Sequence, residues 1–219
     1  MDGPSAIPTD AARLLAVQCL SPAFPTGAFA YAQGLEWAMD QGTVHDAASL
    51  HQWVRDVLNY GAGWSDAVIL SLALRIDADH AALDDLARAL CLTAERLTET
   101  MEQGVAFARA AGPLTGTPTE SAALPVAVGR ALGPLALRRS EVIGLYLHGQ
   151  ALAQIQAAVR FVPLGQSEGQ GVLADLSSLI LRLAMRAADA TEDDLGGCAL
   201  GAEIAQMRHE TMTTRIFRT

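Results

Sequence analysis

Three features of the composition predict an all-α fold. The chain has 219 residues, of which 51% are hydrophobic but only 5% are aromatic. Ala and Leu are abundant and β-branched residues are sparse, which favours helices that pack closely through small side chains. No alternating apolar and polar run marks a strand, and there is no internal repeat. Since one domain of this length buries roughly 70% of its unfolded surface, we predict a single-domain compact helical bundle of about ten helices.

Capping residues mark the first helices. Thr9 and Asp10 cap a first helix, which ends near Ser21 because the proline that follows disfavours helical backbone in the residue before it. A loop then leads into a second helix, which ends near Gly42. Asp46 caps a third helix, whose apolar residues recur at helical spacing. These apolar residues are Leu50, Trp53, Val54, Val57 and Leu58.

Turn residues separate the next two helices. A Gly-Ala-Gly bend at 61–63 precedes a helix with apolar residues as far as Ile76. Asp77 and Asp79 then indicate a turn, and a further helix follows through Leu90.

The second half of the chain begins with a predicted helix over residues 95–110. Residues 112–118, rich in Gly, Thr and Pro, are the least structured internal segment by composition. A long apolar helix over 137–162 ends at the Pro-Leu-Gly of 163–165. The helix after it has the strongest amphipathic pattern of the chain, with Val172, Leu176, Leu179, Ile180 and Leu183 on one face.

Two further patterns concern helix starts. Thr191 with Asp194 resembles a capping box before the final helix, which runs towards Met207. The glycines of 165–171 suit an anion at a helix N-terminus, but no strand precedes them, so we interpret this segment as a helix-linking loop.

Charge and residue usage exclude several classes of mechanism. Every positive charge is an arginine, so a phosphate-binding loop with lysine, a Schiff-base lysine and a Ser-x-x-Lys nucleophile are all excluded. The net charge of -9 and the pI near 4.9 argue against nucleic acid as a partner and favour basic surfaces instead.

Cysteine usage and hydropathy indicate a cytoplasmic protein. Cys19, Cys91 and Cys198 are isolated in sequence, which argues against disulfides and zinc clusters and fits a reducing compartment. We expect residues 1–8 to be a disordered N-terminus that lacks the features of a signal peptide, and no segment is apolar enough to span a membrane.

Catalytic and metal-binding motifs are not found. The five histidines form no paired motif with one another or with cysteine, and they are His45, His51, His80, His148 and His209. His209 and Glu210 lie near Met207 and Met212, but adjacent helical positions point apart. No G-x-S-x-G elbow is present. We therefore predict no catalytic residue, no metal site and no cofactor.

The end of the chain is its most informative part. Residues 208–219 follow a helical domain over 9–207 and place Ile216 and Phe217 between Arg215 and Arg218. An apolar pair flanked by arginines has reason to dock on an acidic, partly apolar surface. That surface is either a partner's or the chain's own domain.

Three segments resemble the UreF family of urease accessory proteins. The first is Leu-Ser-Pro-Ala-Phe-Pro-Thr-Gly-Ala-Phe-Ala-Tyr at 20–31, continued by Gln-Gly-Leu-Glu at 33–36. The second is Arg-Phe-Val-Pro-Leu-Gly-Gln at 160–166. The third is Met-Arg-His-Glu-Thr at 207–211, followed by Arg-Ile-Phe-Arg at 215–218. The segment 115–135 departs from the family, which often has a tyrosine near a similar Pro-Val.

The resemblance implies an all-α accessory protein without a metal-dependent reaction of its own, acting in nickel insertion into urease. UreF-like proteins form homodimers and bind a UreD-type partner, called UreH in some systems, and this complex recruits the GTPase UreG and the urease apoprotein. A nickel path and control of GTP hydrolysis by UreG have been proposed for the family.

The resemblance also suggests roles for individual residues. We expect the tail to dock on the UreD-type partner through Arg208, His209, Glu210, Arg215, Ile216, Phe217 and Arg218. Tyr31, Gln33 and Glu36 are expected to shape either the dimer or the UreG-facing surface. The alternative for this loop is structural, with Tyr31 in the core and Gly27 and Gly34 as turn or packing glycines.

Two other functions remain open. The first is an enzyme or small-ligand-binding helical domain with an interhelical pocket lined by Tyr146, His148 and Arg160. The second is direct nickel carriage through His209 and Met207, for which the ligand spacing is poor.

Overall fold

The computed structural model describes residues 9–219, and the predicted disordered segment 1–8 lies outside the described residues. Over the described range the fold is all-α, with ten α-helices and no strand, which confirms the predicted fold class. The helices are α1 (Thr9–Cys19), α2 (Leu35–Asp40), α3 (Ala47–Tyr60), α4 (Ala62–Ala73), α5 (His80–Ala89), α6 (Ala94–Thr115), α7 (Leu124–Leu132), α8 (Arg139–Val159), α9 (Gln166–Ala188) and α10 (Leu200–His209).

Helix α4 lies at the centre of the core. Most of its residues are buried, and it packs against α3, α5, α7, α8 and α9. A helix that is apolar on all sides is normally buried on all sides. Its one carboxylate, Asp66, is 9% exposed and accepts hydrogen bonds from Arg96 at 2.7 Å and from Tyr146 at 2.8 Å. These donors compensate the burial of a charge.

Glycines allow α7 to approach its neighbours closely. A Cβ atom at Gly129 of α7 would overlap Ala73 at the end of α4, and one at Gly104 of α6 would overlap the carbonyl of Ala122. The backbone contacts that α7 makes with α4 and α6 therefore depend on these two positions.

Helix α6 is longer than predicted. It continues past Ala110 to Thr115 and includes Pro113 in its last turn. Gly112 does not break it, because this glycine is buried and lies against Thr119. Gly116, in the left-handed conformation, ends the helix and donates its N–H to the carbonyl of Gly112 at 2.8 Å, which is a common way to terminate a helix.

Helix α7 was not predicted from the sequence. Nearly all of its residues are buried, and it is only nine residues long, so few positions are available to show a helical period. Pro125 lies in the first turn, where its missing N–H has no intrahelical partner to lose. Asp84 of α5 accepts a hydrogen bond from the N–H of Ala123 at 2.6 Å, which fixes the residue before α7 to α5.

The capping predictions were right at one position and misplaced at another. Asp46 caps α3 by accepting the N–H of Ser49 at 2.8 Å. Thr191 and Asp194 do form a capping box, but it caps a short 3-10 turn. The final helix starts only at Leu200, because Gly196 and Gly197 have φ values of 114° and 143° that no helix accommodates.

The glycine-rich segment 165–171 is not the predicted loop. Gly165 is the N-cap of α9, and the helix begins at Gln166. Within the helix, Gly169 packs against Ile155 and Val159 of α8, so its small size serves helix packing.

Among residues 9–219, no helix combines the length and hydropathy needed to cross a bilayer.

Candidate functional site at the C-terminal segment

Residues 208–219, which we call the C-terminal segment, turn back onto their own domain. The backbone N–H of Arg218 donates to the carbonyl of Ala30 at 2.8 Å, and the N–H of Ala32 donates to the carbonyl of Thr219 at 3.0 Å. These bonds pair the end of the chain with the loop before α2. The sequence left open whether the tail docks on a partner or on its own domain, and the structure shows contact with its own domain.

The apolar pair of the segment is divided between core and surface. Phe217 is 5% exposed, whereas Ile216 is 65% exposed. The ring of Phe217 meets that of Phe161 edge to face at a centroid distance of 5.3 Å, a favourable aromatic geometry. Phe217 therefore anchors the segment from inside, and Ile216 remains available on the surface.

Four glutamates face the C-terminal segment, and we call them the carboxylate row. Glu95, Glu99 and Glu102 lie on α6 at i, i+4 and i+7 positions, which places them on one face of the helix. The fourth, Glu36, lies in the first turn of α2. The acidic row complements the arginines of the segment.

Glu36 holds the backbone of the segment. Its Oε1 accepts the N–H of Ile216 and its Oε2 accepts the N–H of Phe217, each at 2.8 Å. Glu36 is only 9% exposed, and hydrogen bonds to a charged acceptor are stronger than those to a neutral one. Glu36 thus faces the segment, and its role on a dimer or UreG-facing surface stays a prediction.

His209 connects two members of the carboxylate row. It is completely buried, with Nδ1 at 2.7 Å from Oε2 of Glu95 and Nε2 at 3.1 Å from Oε2 of Glu36. Both nitrogens can donate together only when the ring is an imidazolium. In that form His209 would satisfy both carboxylates and join α10 to α2 and α6.

The arginines of the segment pair with the ends of the row. Arg215 donates to Glu95 at 2.7 Å. Arg218 donates through both terminal nitrogens to Glu102, which also accepts from the hydroxyl of Tyr31. The hydrogen bonds from Arg218 and Tyr31 hold the pKa of Glu102 below its usual range. Burial and the bond to Glu102 raise the pKa of Tyr31.

Thr219 is bound at the centre of the row. Its hydroxyl accepts the N–H of Gln33 at 3.2 Å and lies 3.4 Å from Oε2 of Glu99. Gln33 in turn donates to Glu99 at 2.9 Å. Burial raises the pKa of Glu99, although Arg96 acts in the opposite direction. Gln33 has a φ of 54°, a left-handed conformation that a residue with a side chain adopts at some cost and that often marks a functional position.

Gly34 lets α10 reach the loop that carries these residues. It has a φ of 77°, and a Cβ there would lie 2.6 Å from the backbone nitrogen of Gln206. Gly34 is therefore both a turn glycine and a packing glycine. Gly27 has the same φ but no atom within 4 Å of a built Cβ, so it is a turn glycine only.

Several residues of the C-terminal segment are exposed, and we call four of them the outer face. It comprises Arg208, Arg215, Ile216 and Arg218. Glu210 is also exposed, but its Oε1 accepts the N–H groups of Ala94 and Glu95 at 2.8 and 3.2 Å and so caps the start of α6.

The structure thus divides the ten predicted partner-binding residues into two groups. One group is buried and holds the segment in place, and it consists of Tyr31, Gln33, Glu36, His209 and Phe217. The other is exposed, and it consists of Arg208, Glu210, Arg215, Ile216 and Arg218. A role in partner binding stays a prediction for each of them.

The predicted interhelical pocket exists with a different lining. A cavity of about 120 Å³ has Tyr146 and Arg160 in its wall. His148 is exposed and does not line it, so its inclusion was wrong. Positions two apart on a helix point in widely different directions, so α8 turns His148 away when Tyr146 points inward.

The arrangement of His209 and Met207 does not suit a shared metal. His209 is fully buried between two carboxylates, while Met207 is 47% exposed. Within residues 9–219, no three His, Cys, Asp or Glu side chains are grouped so that they could hold a metal ion.

Three members of the carboxylate row were missed by the sequence analysis. Glu95, Glu99 and Glu102 have a spacing that is visible in the sequence as one acidic face of a helix. Their partners are Arg215, Arg218 and Thr219, which lie 116 to 120 residues further along the chain. The only available signal was the acidic spacing in one segment and the run of arginines in another.

Comparison with known proteins gives a consistent result over most of the chain. A family model described as UreF matches residues 44–177. The chain is 62% identical over 213 residues to the urease accessory protein UreF of Paracoccus denitrificans (strain Pd 1222), an alignment that covers 97% of this chain and 99% of the relative.

Two further relatives carry the same description. The urease accessory protein UreF of Cereibacter sphaeroides (strain ATCC 17029 / ATH 2.4.9) is 56% identical over 209 residues, with 95% of this chain and 99% of the relative covered. That of Roseobacter denitrificans (strain ATCC 33942 / OCh 114) is 44% identical over 207 residues, with 94% and 93% covered.

Proposed function

The chain belongs to the UreF family of urease accessory proteins, and we propose on this premise that it is a non-catalytic scaffold for assembly of the nickel metallocentre of urease. In this role it binds a UreD/UreH-type partner, the GTPase UreG and the urease apoprotein, and it modulates GTP hydrolysis by UreG. Nickel is the cargo of this process.

The observation that carries the proposal is the outer face of the C-terminal segment. Ile216 is 65% exposed, and Arg215 and Arg218 flank the Ile-Phe pair on a chain whose net charge is -9. Arginine is enriched at protein–protein interfaces relative to the rest of the protein surface. We propose that the UreD/UreH-type partner binds here.

The seating of the segment favours this assignment. Glu36 holds the backbone of the segment from inside, and the ring of His209 bonds to Glu36, so the outer face already has a fixed shape in the free chain. Binding to a surface that is already ordered avoids the entropy cost of ordering it.

The chemistry of the outer face also indicates what the partner offers. The guanidinium groups of Arg215 and Arg218 keep part of their surface in solvent, with side chains 42% and 56% exposed. Arg160 adds a further guanidinium, stacked 4.1 Å above the ring of Phe29. A complementary partner surface has carboxylates around an apolar recess.

The remaining roles rest on the family and on composition. A chain without lysine has no lysine-dependent phosphate-binding loop, so GTP hydrolysis belongs to UreG in this scheme. The acidic body suits a basic surface on UreG or on the apoprotein. We further propose that the protein is a homodimer, as the family resemblance suggests. We also propose that it lies in the cytoplasm, as the three isolated cysteines suggest.

Co-purification with a tagged UreD-type partner tests the proposal. Replacing Ile216 by Asp places a charge on the outer face without touching the buried anchors, and we expect at least a tenfold loss of retained chain. The matched control is Ile76→Asp, at a fully exposed isoleucine in the turn after α4. Circular dichroism and thermal melting verify that both variants fold.

The two variants separate the possible outcomes. Loss of retention for Ile216→Asp with full retention for Ile76→Asp supports docking at the outer face. Equal retention of both variants places the partner elsewhere and removes the outer face from the mechanism.

A further inference from the structure

The cavity beside the carboxylate row is a second feature that scaffolding does not use. Its volume is about 120 Å³, and it lies between the loop before α2 and helices α6, α7 and α8. Phe107, Leu124 and Val128 give it an apolar part, while Gln103 and Gln150 give it a polar part. The exposed side chain of Phe29 also lines it, so the cavity reaches the surface there.

Two amide groups in the cavity wall have an unused acceptor. Gln103 is only 6% exposed, and its Nε2 donates to Glu99 at 3.0 Å. Gln150 donates through Nε2 to Asp66 at 2.8 Å. The Oε1 atoms of Gln103 and Gln150 accept no hydrogen bond from any residue in 9–219, nor are they closed off inside the protein. Both side chains line the cavity, and an unpaired amide oxygen gains from a donor.

The buried charges of the cavity wall, Arg96, Asp66 and Glu99, are already paired with one another. Arg96 donates to Asp66 at 2.7 Å and lies 3.6 Å from Glu99. Arg160 stacks on Phe29 near the opening. A charged ligand would disturb the buried pairs, which is costly, whereas a neutral ligand leaves them intact.

We propose that this cavity binds a small neutral carboxamide, with its N–H group donating to Gln103 and Gln150 and its apolar body against Phe107 and Val128. At about 120 Å³ the cavity is smaller than the apolar cavity of roughly 150 Å³ that accommodates benzene, so part of a ligand that has a ring and an amide group stays at the opening beside Phe29. Such a site adds small-molecule binding to the proposed scaffolding role.

The ligand site shares residues with the anchor of the C-terminal segment. Tyr31, Gln33 and Glu99 line the cavity. The side chains of Tyr31 and Glu99 and the backbone N–H of Gln33 hold Arg218 and Thr219. A ligand bound beside Glu99 restricts the motion of this shared wall. Its binding therefore stabilises the bound position of the C-terminal segment. The affinity of a partner that binds the outer face changes through this coupling.

Benzamide is the probe for this site, and methyl benzoate, which has a similar shape but no N–H group, is its control. We expect benzamide to bind the isolated chain saturably and to raise the melting temperature as its concentration rises. Methyl benzoate should bind at least tenfold more weakly. Hydrogen exchange at the N–H groups of Ala32 and Gln33, which donate to Thr219, should slow when benzamide is bound.

Two variants localise the binding. Ala153, half-buried in the cavity wall, is replaced by Leu to fill the space, and at least tenfold weaker benzamide binding is expected. Ala174→Leu, on the exposed side of α9, is the matched control and should bind as the unmodified chain does. If Ala153→Leu does not fold, Gln103→Met removes the acceptor instead.

Three results would overturn the proposal, and they are absence of saturable benzamide binding, equal binding of methyl benzoate, and unchanged binding by the cavity variant. Because the isolated chain is used, none of these results bears on whether the outer face binds a UreD-type partner.

Discussion

The carboxylate of Glu36 accepts a hydrogen bond at 2.8 Å from the backbone N–H of Phe217, a residue 181 positions further along the chain. This bond joins the start of α2 to the end of the sequence. Together with the bond from Ile216, it holds the C-terminal segment so that Phe217 lies in the core and Ile216 lies on the surface. The division between anchoring and exposed residues follows from it.

Replacing Glu36 by Gln is expected to lower the free energy of unfolding by about 1–3 kcal/mol. The neutral amide offers one acceptor where two N–H groups and His209 now meet a carboxylate. Urea unfolding measures the change. Glu192→Gln, at an exposed glutamate, is the control and should be close to neutral. An equal effect of both changes would show that Glu36 does not hold the segment.

Truncation of Phe217 to alanine is expected to lower the stability of the fold much more than truncation of Ile216. Phe217→Ala removes a buried aromatic ring and should cost about 3 kcal/mol of unfolding free energy. Ile216→Ala should change stability by less than about 0.5 kcal/mol, as surface substitutions usually do. Thermal or urea unfolding of the two variants makes the comparison. Similar stabilities would contradict the burial of Phe217.

The contact between Glu102, Arg218 and Tyr31 is expected to weaken at both acidic and alkaline pH. The pKa of Glu102 is lowered in the folded chain, so its contribution to stability is present above its ordinary pKa of 4.5 and is lost as the pH falls below that value. The pKa of Tyr31 is raised from 10.0, so its contribution is lost as the pH rises above that value.

Melting temperatures of the unmodified chain and of Glu102→Gln over a range of pH test this expectation. The difference between the two melting temperatures should be largest between the ordinary pKa values of Glu102 and Tyr31. It should shrink below about pH 4.5, where both chains carry a neutral group at position 102. Added salt should reduce it, because Glu102 is partly exposed. A difference that does not vary with pH would argue against the contact.

The two left-handed glycines beside the site are expected to tolerate alanine differently. Gly27→Ala meets no neighbouring atom and should cost only the backbone conformation, about 1–2 kcal/mol. Gly34→Ala adds a clash with the backbone of α10 and should cost more than Gly27→Ala. Urea unfolding of both variants gives the order, and the reverse order would mean that α10 does not approach Gly34 closely.

The predictable parts of the fold are those with local signals. Asp46 and the apolar stripe after it define α3 within a few residues of sequence, and the periodic face of α9 does the same. Helix α7 was not recognised, because it is only nine residues long and contains both Pro125 and Gly129, two residue types that usually interrupt helices. The capping box at Thr191 was identified correctly, but local sequence did not show that the glycines after it delay the final helix.

The site was predictable in composition but not in pairing. The arginines and the apolar pair of the tail indicated an acidic docking surface, and Tyr31, Gln33 and Glu36 were singled out for other roles. That all three face the tail depends on contacts between distant parts of the chain. Such contacts have no local pattern in a single sequence.

Hydrogen exchange at the N–H groups of Ile216, Phe217 and Arg218 shows whether the C-terminal segment is held in the free chain. It is measured in the free chain and again with the UreD-type partner added. If the carboxylate row already seats the segment, these amides exchange slowly in the free chain, and the partner changes them little. Exchange at the rate of an unfolded chain, slowing only when the partner is present, would contradict the account and would mean that the segment orders on its partner.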